Sequence, residues 1–111
     1  MKPTAADTDW TRIVLLYDRL LERAPSPVVE LNRAVAVGMA SGPAAALPLV
    51  EALLKAPQMQ RYHLTHALQG DLLAKLGRSA EARNAFERAA ELTANERERT
   101  LLTERARAAA A

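Results

Sequence analysis

His63 and His66 lie three residues apart on a predicted helix, so they share a face, and two imidazoles at that spacing are the start of a metal site. A pair falls short of a site. The chain has no cysteine and no third ligand at a matching spacing, so Tyr62, His63 and His66 read as helix-packing or partner-contact residues. Asn32 and Arg33 sit mid-helix, where an amide and a guanidinium are poor core residues unless they reach backbone or acidic partners. Either they read a ligand, or Asn32 pins the turn between neighbouring helices and Arg33 pairs with Glu30 or with an acid on the first helix.

Other chemistries fail on placement. Ser26, Ser41 and Ser79 stand where helix N-caps are expected, and none lies in a nucleophile-elbow motif. No glycine-rich phosphate loop is present, and Glu96 with Glu98 belongs to a solvated helix start rather than to a cleft. Arg97, Arg99, Arg105 and Arg107 interleave with Glu96, Glu98 and Glu104 and have no aromatic neighbours for base stacking, the pattern of a solvated face rather than a nucleic-acid track. The residues thus predict neither an enzyme nor a cofactor or metal site.

These residues hang on a chain of 111 residues, the size of one ordinary domain. Half the residues are apolar but only 4% are aromatic, so alanine and leucine, strong helix formers, dominate the apolar share. Lack of cysteine fits a reducing compartment, and cytoplasm is the expected location. No apolar run approaches the roughly 18 residues that would cross a bilayer, and MKPTAADTDW lacks the apolar core of a signal peptide. The pI is near 9.4, yet 15 cationic against 13 anionic residues leave a net charge of only +2, too small and too spread out to imply nucleic acid.

Helix signals punctuate the sequence. Trp10, Ile13, Val14, Tyr17, Leu20 and Leu21 mark one face of a helix over about 8–23, with Asp7 or Thr8 placed to cap it. Ala24-Pro25 stops it, and Ser26-Pro27 opens a second helix over about 27–39, with proline at a position whose N–H would be unpaired anyway. Ser41-Gly42-Pro43 leads to a third helix over about 43–55, in which Pro48 is either a first-turn residue or a kink. A fourth follows over about 58–76, closed by Gly77 as a left-handed cap. Ser79 caps a fifth over about 80–92, and Asn95 with Glu98 forms a capping box for a charged sixth.

Short turns between six helices predict an all-α fold of antiparallel helix pairs. Gly70, Leu73, Gly77, Ala82, Phe86 and Ala89 match the small and large positions of a tetratricopeptide repeat. Moving back 36 residues from Gly70, Ala82, Phe86 and Ala89 lands on Ala34, Ala46, Val50 and Leu53, which keep the order small, small, large, apolar. The expectation is a short right-handed tetratricopeptide-like array filling one domain. The first helix, with Tyr17 in the aromatic position and Pro25 closing it, reads as the second half of a truncated repeat. Its apolar stripe then lacks a neighbour, whereas the sixth helix suits a polar cap.

The strings LYDRLLERAPSPVVELNRAVAV, SGPAAAL and YHLTHALQGDLLAKLGRSAEARNAFERAAELTANERER resemble the C-terminal region of one group of bacterial sigma factors, the extracytoplasmic-function (ECF) factors with a tetratricopeptide-like extension. The resemblance runs from about Trp10 to Arg105, and Ser-Pro-Val-Val-x-Leu-Asn-Arg-Ala-Val-Ala-Val is its most specific stretch. It implies a regulatory extension behind the domains that bind RNA polymerase and the promoter. Neither domain is here, so no promoter recognition by this chain is expected, and Met1 reads as the start of a fragment, an excised domain or a split reading frame.

The expected partners are the sigma factor's own N-terminal domains, RNA polymerase or a regulator. By analogy with the repeat fold, first helices turn Leu31, Val35, Met39, Ala67, Asp71 and Lys75 toward a concave contact face. The alternative is a free-standing adaptor for a peptide or a partner protein, unrelated to transcription. A homodimer through helix one and Trp10 is a third reading.

Overall fold

The computed structural model describes residues 8–110, and within them every regular element is a helix. They are α1 (Trp10–Arg23), α2 (Pro27–Ser41), α3 (Pro43–Leu53), α4 (Pro57–Gln60), α5 (His63–Lys75), α6 (Ser79–Leu92) and α7 (Glu96–Ala110). Connections of one to three residues join them. Each long helix therefore folds back on the one before it, and α3 also packs on α5, with the single turn of α4 carrying the chain between them.

Local signals account for most boundaries. Ser26 caps α2, its Oγ accepting from the Val29 N–H at 3.3 Å, with Pro27 behind it in the first turn. Gly42 and Gly77 both take positive φ, 92° and 78°, at the α2–α3 turn and after α5, where a side chain would be strained. Asn95 Oδ1 accepts from the Glu98 N–H at 3.0 Å, but the Glu98 carboxylate does not complete the expected capping box. It takes the Thr93 hydroxyl instead, at 3.1 Å, while Thr93 Oγ1 accepts from the Asn95 N–H. The threonine has inserted itself as a relay.

Three expectations are corrected, and of the two readings of Pro48 the one inside the helix holds. The N-cap of α1 is Asp9, which accepts from the Arg12 N–H at 3.0 Å; Thr8 precedes it, and Asp7 lies outside the described residues. Ser79 is the first residue of α6, not its cap, and makes no capping bond. Pro48 is interior to α3, where its lack of an N–H removes one rung of the helix ladder. The helix expected over 58–76 breaks at Arg61 and Tyr62, the latter extended, giving seven helices among the described residues where six were read.

The core is a contact of small residues against a few large ones. Ala34, Ala46, Val50, Ala82 and Ala89 are fully buried, and Leu31, Leu47, Leu53, Leu72, Leu73 and Phe86 fill the space between helices that alanine allows to approach closely. At one point even alanine is too large: a Cβ on Gly70 would stand 2.7 Å from the Phe86 ring. All of Ala34, Ala46, Val50, Leu53, Gly70, Ala82, Phe86 and Ala89 are buried.

Candidate partner-contact surface

Helix α1 has no buried residue, although eight of its fourteen positions carry large apolar side chains. The cause is its place at the end of the stack, where it packs chiefly on α2. Asp18 and Leu21 lie on the side turned to α2. Asp18 Oδ1 accepts from Arg33 Nε at 2.6 Å, and both residues line a cleft of about 390 Å³ with Leu21, Glu30, Leu49 and Leu53. Val14 and Tyr17, neighbours of that side by helical spacing, are half-buried, as are Trp10 and Ile13. On the other edge Leu16 and Leu20 stand open at 54% and 46% exposure. Leu15, 56% exposed, is isolated on the opposite flank.

Arg33 thus pairs with an acid on the first helix, one of its two structural readings. Asn32 is exposed on α2. Of the concave-face residues, Val35, Met39 and Lys75 are exposed. Leu31 is only 4% exposed and belongs to the core, so burial removes it from any contact surface, and Ala67 is half-buried against the same core. Asp71 is paired with Arg105 of α7.

The histidines point to different partners. His66 Nε2 donates to the Gln60 carbonyl at 2.7 Å and so ties α5 back to α4. His63 Nε2 lies 2.8 Å from Glu98 Oε2, close enough for an ion contact, but its N–H is not aimed as a hydrogen bond requires. Tyr62 meets the His63 ring edge-on at 5.8 Å and packs on the core. Among the described residues, no three His, Cys, Asp or Glu side chains converge as a metal site.

The sequence reading missed three features. Arg105 lies 4.5 Å above the Phe86 ring while pairing with Asp71, and burial pulls its pKa below the ordinary value. Arg78 and Glu81 clasp each other at the start of α6, raising the arginine's pKa and lowering the carboxyl's through their hydrogen bonds. The third is a row of arginines on α1, Arg12, Arg19 and Arg23, bordering the open Leu16 and Leu20. Their spacing of three and four from those leucines was the available signal. An apolar hollow of about 360 Å³ also lies beside the start of α2, between Pro27, Val28, Met59 and Tyr62.

No protein-family profile matches the chain, and no solved structure matches it. An uncharacterized protein of Rhizobium meliloti (strain 1021) is 52% identical over 88 residues, which are 79% of this chain and 20% of that protein. The chain therefore matches about one fifth of the length of that relative. Among the described residues no helix is long and apolar enough to cross a membrane.

Proposed function

We propose that this chain is a non-catalytic, cytoplasmic protein-contact module that modulates transcription initiation as the C-terminal regulatory extension of an ECF-type sigma factor. The observation that carries the contact role is the one-sided packing of α1, whose Leu16 and Leu20 edge faces outward at the end of a helical stack. Repeat helices do not bury their faces alone, and a terminal helix that leaves leucines open on its outer edge calls for a neighbour. The link to sigma factors rests on the likeness of the Ser26–Val37 stretch and its surroundings to that group. Its partners are then the sigma domains, RNA polymerase or a regulator, met by helix packing and without contact to promoter DNA.

The test is calorimetric titration of the chain into the two N-terminal domains of an ECF sigma factor of this group, with Leu16→Ser/Leu20→Ser as control. Saturable binding that the control loses is the expected result. Absence of binding to both the sigma domains and RNA polymerase, with the helical fold intact, would overturn the transcription role.

One observation favours the rival adaptor reading: the hollow at Pro27, Val28, Met59 and Tyr62 is apolar and continues into the exposed Val35 and Met39 of α2 by helical spacing. An adaptor would hold an extended peptide there, and Val28→Asp would abolish peptide binding while leaving any docking on α1 unchanged.

A further inference from the structure

The open edge of α1 has a charge as well as a shape. Arg12, Leu16, Arg19 and Arg23 follow one another at spacings of three and four, and Leu20 stands four after Leu16 and three before Arg23, so two uncovered leucines lie along a row of three guanidinium groups. All three arginines are exposed, and none makes an ion pair with a described residue. Elsewhere among the described residues Arg33, Arg78, Arg83, Arg88, Arg99 and Arg105 each hold a carboxylate, while Arg61, Arg97 and Arg107 are unpaired singly; only on α1 do three unpaired arginines share one edge with open leucines. Among the described residues no acid of its own helix forms an ion pair with the row, although Glu22 stands three residues after Arg19. Asp18 is turned to Arg33, and Glu22 lies on the opposite flank with Leu15 by helical spacing.

We infer that the Leu16–Leu20 edge of α1 receives an acidic amphipathic helix of a partner protein, its apolar seam on the leucines and its carboxylates on Arg12, Arg19 and Arg23. The inference rests on the reading of this edge as the docking surface and holds whether or not the partner belongs to transcription. A helix is the occupant that the stack itself specifies, because the other long helices pack side by side and this edge is where the next would lie.

The same geometry weighs against two other occupants. A helix lying in a membrane surface immerses its whole apolar half. Here Val14, Tyr17 and Leu21 are turned toward α2, which leaves only the narrow edge. A second copy related by a twofold axis would set one arginine row against the other, and like charges face to face oppose association. Acidic carboxylates relieve the row instead.

The test uses the whole chain and two synthetic helical peptides of about 18 residues with leucines at i, i+3, i+4 and i+7, one carrying glutamate on both flanks and one lysine. Binding is read by fluorescence anisotropy of the labelled peptide. The glutamate peptide is expected to bind about tenfold or more tightly than the lysine peptide, given three exposed charge pairs of modest individual strength, and to weaken as salt rises. Arg12→Glu/Arg19→Glu/Arg23→Glu should reverse the preference, and Leu16→Ser/Leu20→Ser should abolish binding of both.

If the charge-reversed variant holds the glutamate peptide as tightly as the parent does, the acidic-partner inference is overturned while docking on α1 stands. If the leucine variant binds unchanged, both fall. Retention of the chain by phosphatidylserine-containing vesicles, lost in the leucine variant, would overturn the inference in favour of a membrane. A dimer in sedimentation, lost in the same variant, would overturn it in favour of a second copy.

Discussion

Gly70 and Phe86 are in direct contact across α5 and α6: a methyl group at position 70 would stand 2.7 Å from Phe86 Cε1 and 2.8 Å from Cδ1. The ring is only 2% exposed and has Arg105 on one face, so it has little freedom to withdraw. Gly70→Ala gains about 0.5–1 kcal/mol of helix preference, yet overpacking costs about 1–3 kcal/mol. A net loss of about 1–2 kcal/mol is expected, seen as a Tm lowered by several degrees in circular dichroism. Phe86→Leu made together with Gly70→Ala should cost less than the sum of the two single changes, because the smaller side chain removes the clash.

Thr65 offers a change of the opposite sign. It is fully buried in the first turn of α5, and its hydroxyl has no hydrogen-bond partner. A buried hydroxyl without a partner costs on the order of 1–3 kcal/mol, and an isosteric apolar group avoids that cost. Thr65→Val should raise stability by about 1 kcal/mol in urea denaturation; a loss instead would mean that the hydroxyl is satisfied.

Arg99 closes the end of α6. Its Nε donates to the Ala90 carbonyl at 3.1 Å and its Nη2 to the Thr93 carbonyl at 2.6 Å, while Glu96 holds the other arm. Arg99→Ala should cost about 1–2 kcal/mol, since the carbonyls lose charge-assisted bonds at a partly exposed site. Arg99→Lys should recover less than half of the loss, because an ammonium lacks the planar fork that reaches both carbonyls. Urea midpoints of the three proteins decide this.

The amides of α1 should exchange with solvent well before those of α5 and α6. Helix α1 has no buried residue and is clasped to α2 by the Asp18–Arg33 pair, whereas α5 and α6 share Leu72, Leu73 and Phe86 in the core. Asp18→Ala should speed exchange in α1 further and leave α5 and α6 unchanged. Native-state hydrogen exchange with residue resolution reads both effects.

What the sequence made legible was punctuation. Pro27, Gly42, Gly77 and Asn95 sit at helix ends because missing N–H groups, positive φ and side-chain caps are local properties. The break at Arg61 and Tyr62 was not legible, since neither residue forbids a helix. The chain turns there because Met59 and Tyr62 both pack inward and α5 must lie on α3 and α6. Contact residues followed the same division. The apolar stripe of α1 showed in the spacing, but which edge α2 covers is decided by Asp18 and Arg33, fifteen residues apart. The burial of Leu31 likewise depends on neighbours that no local pattern names.

The single-helix attachment of α1 also has a mechanical consequence. A stack in which each element holds mainly its neighbours is pulled apart in order, and a load applied through the N-terminal side falls first on the seam with α2. That seam contains no buried α1 residue, so under tension α1 peels away while the alanine-packed body stays folded. Such a joint yields at low force and re-forms when slack returns, so a load entering from the N-terminal side would be absorbed by one helix.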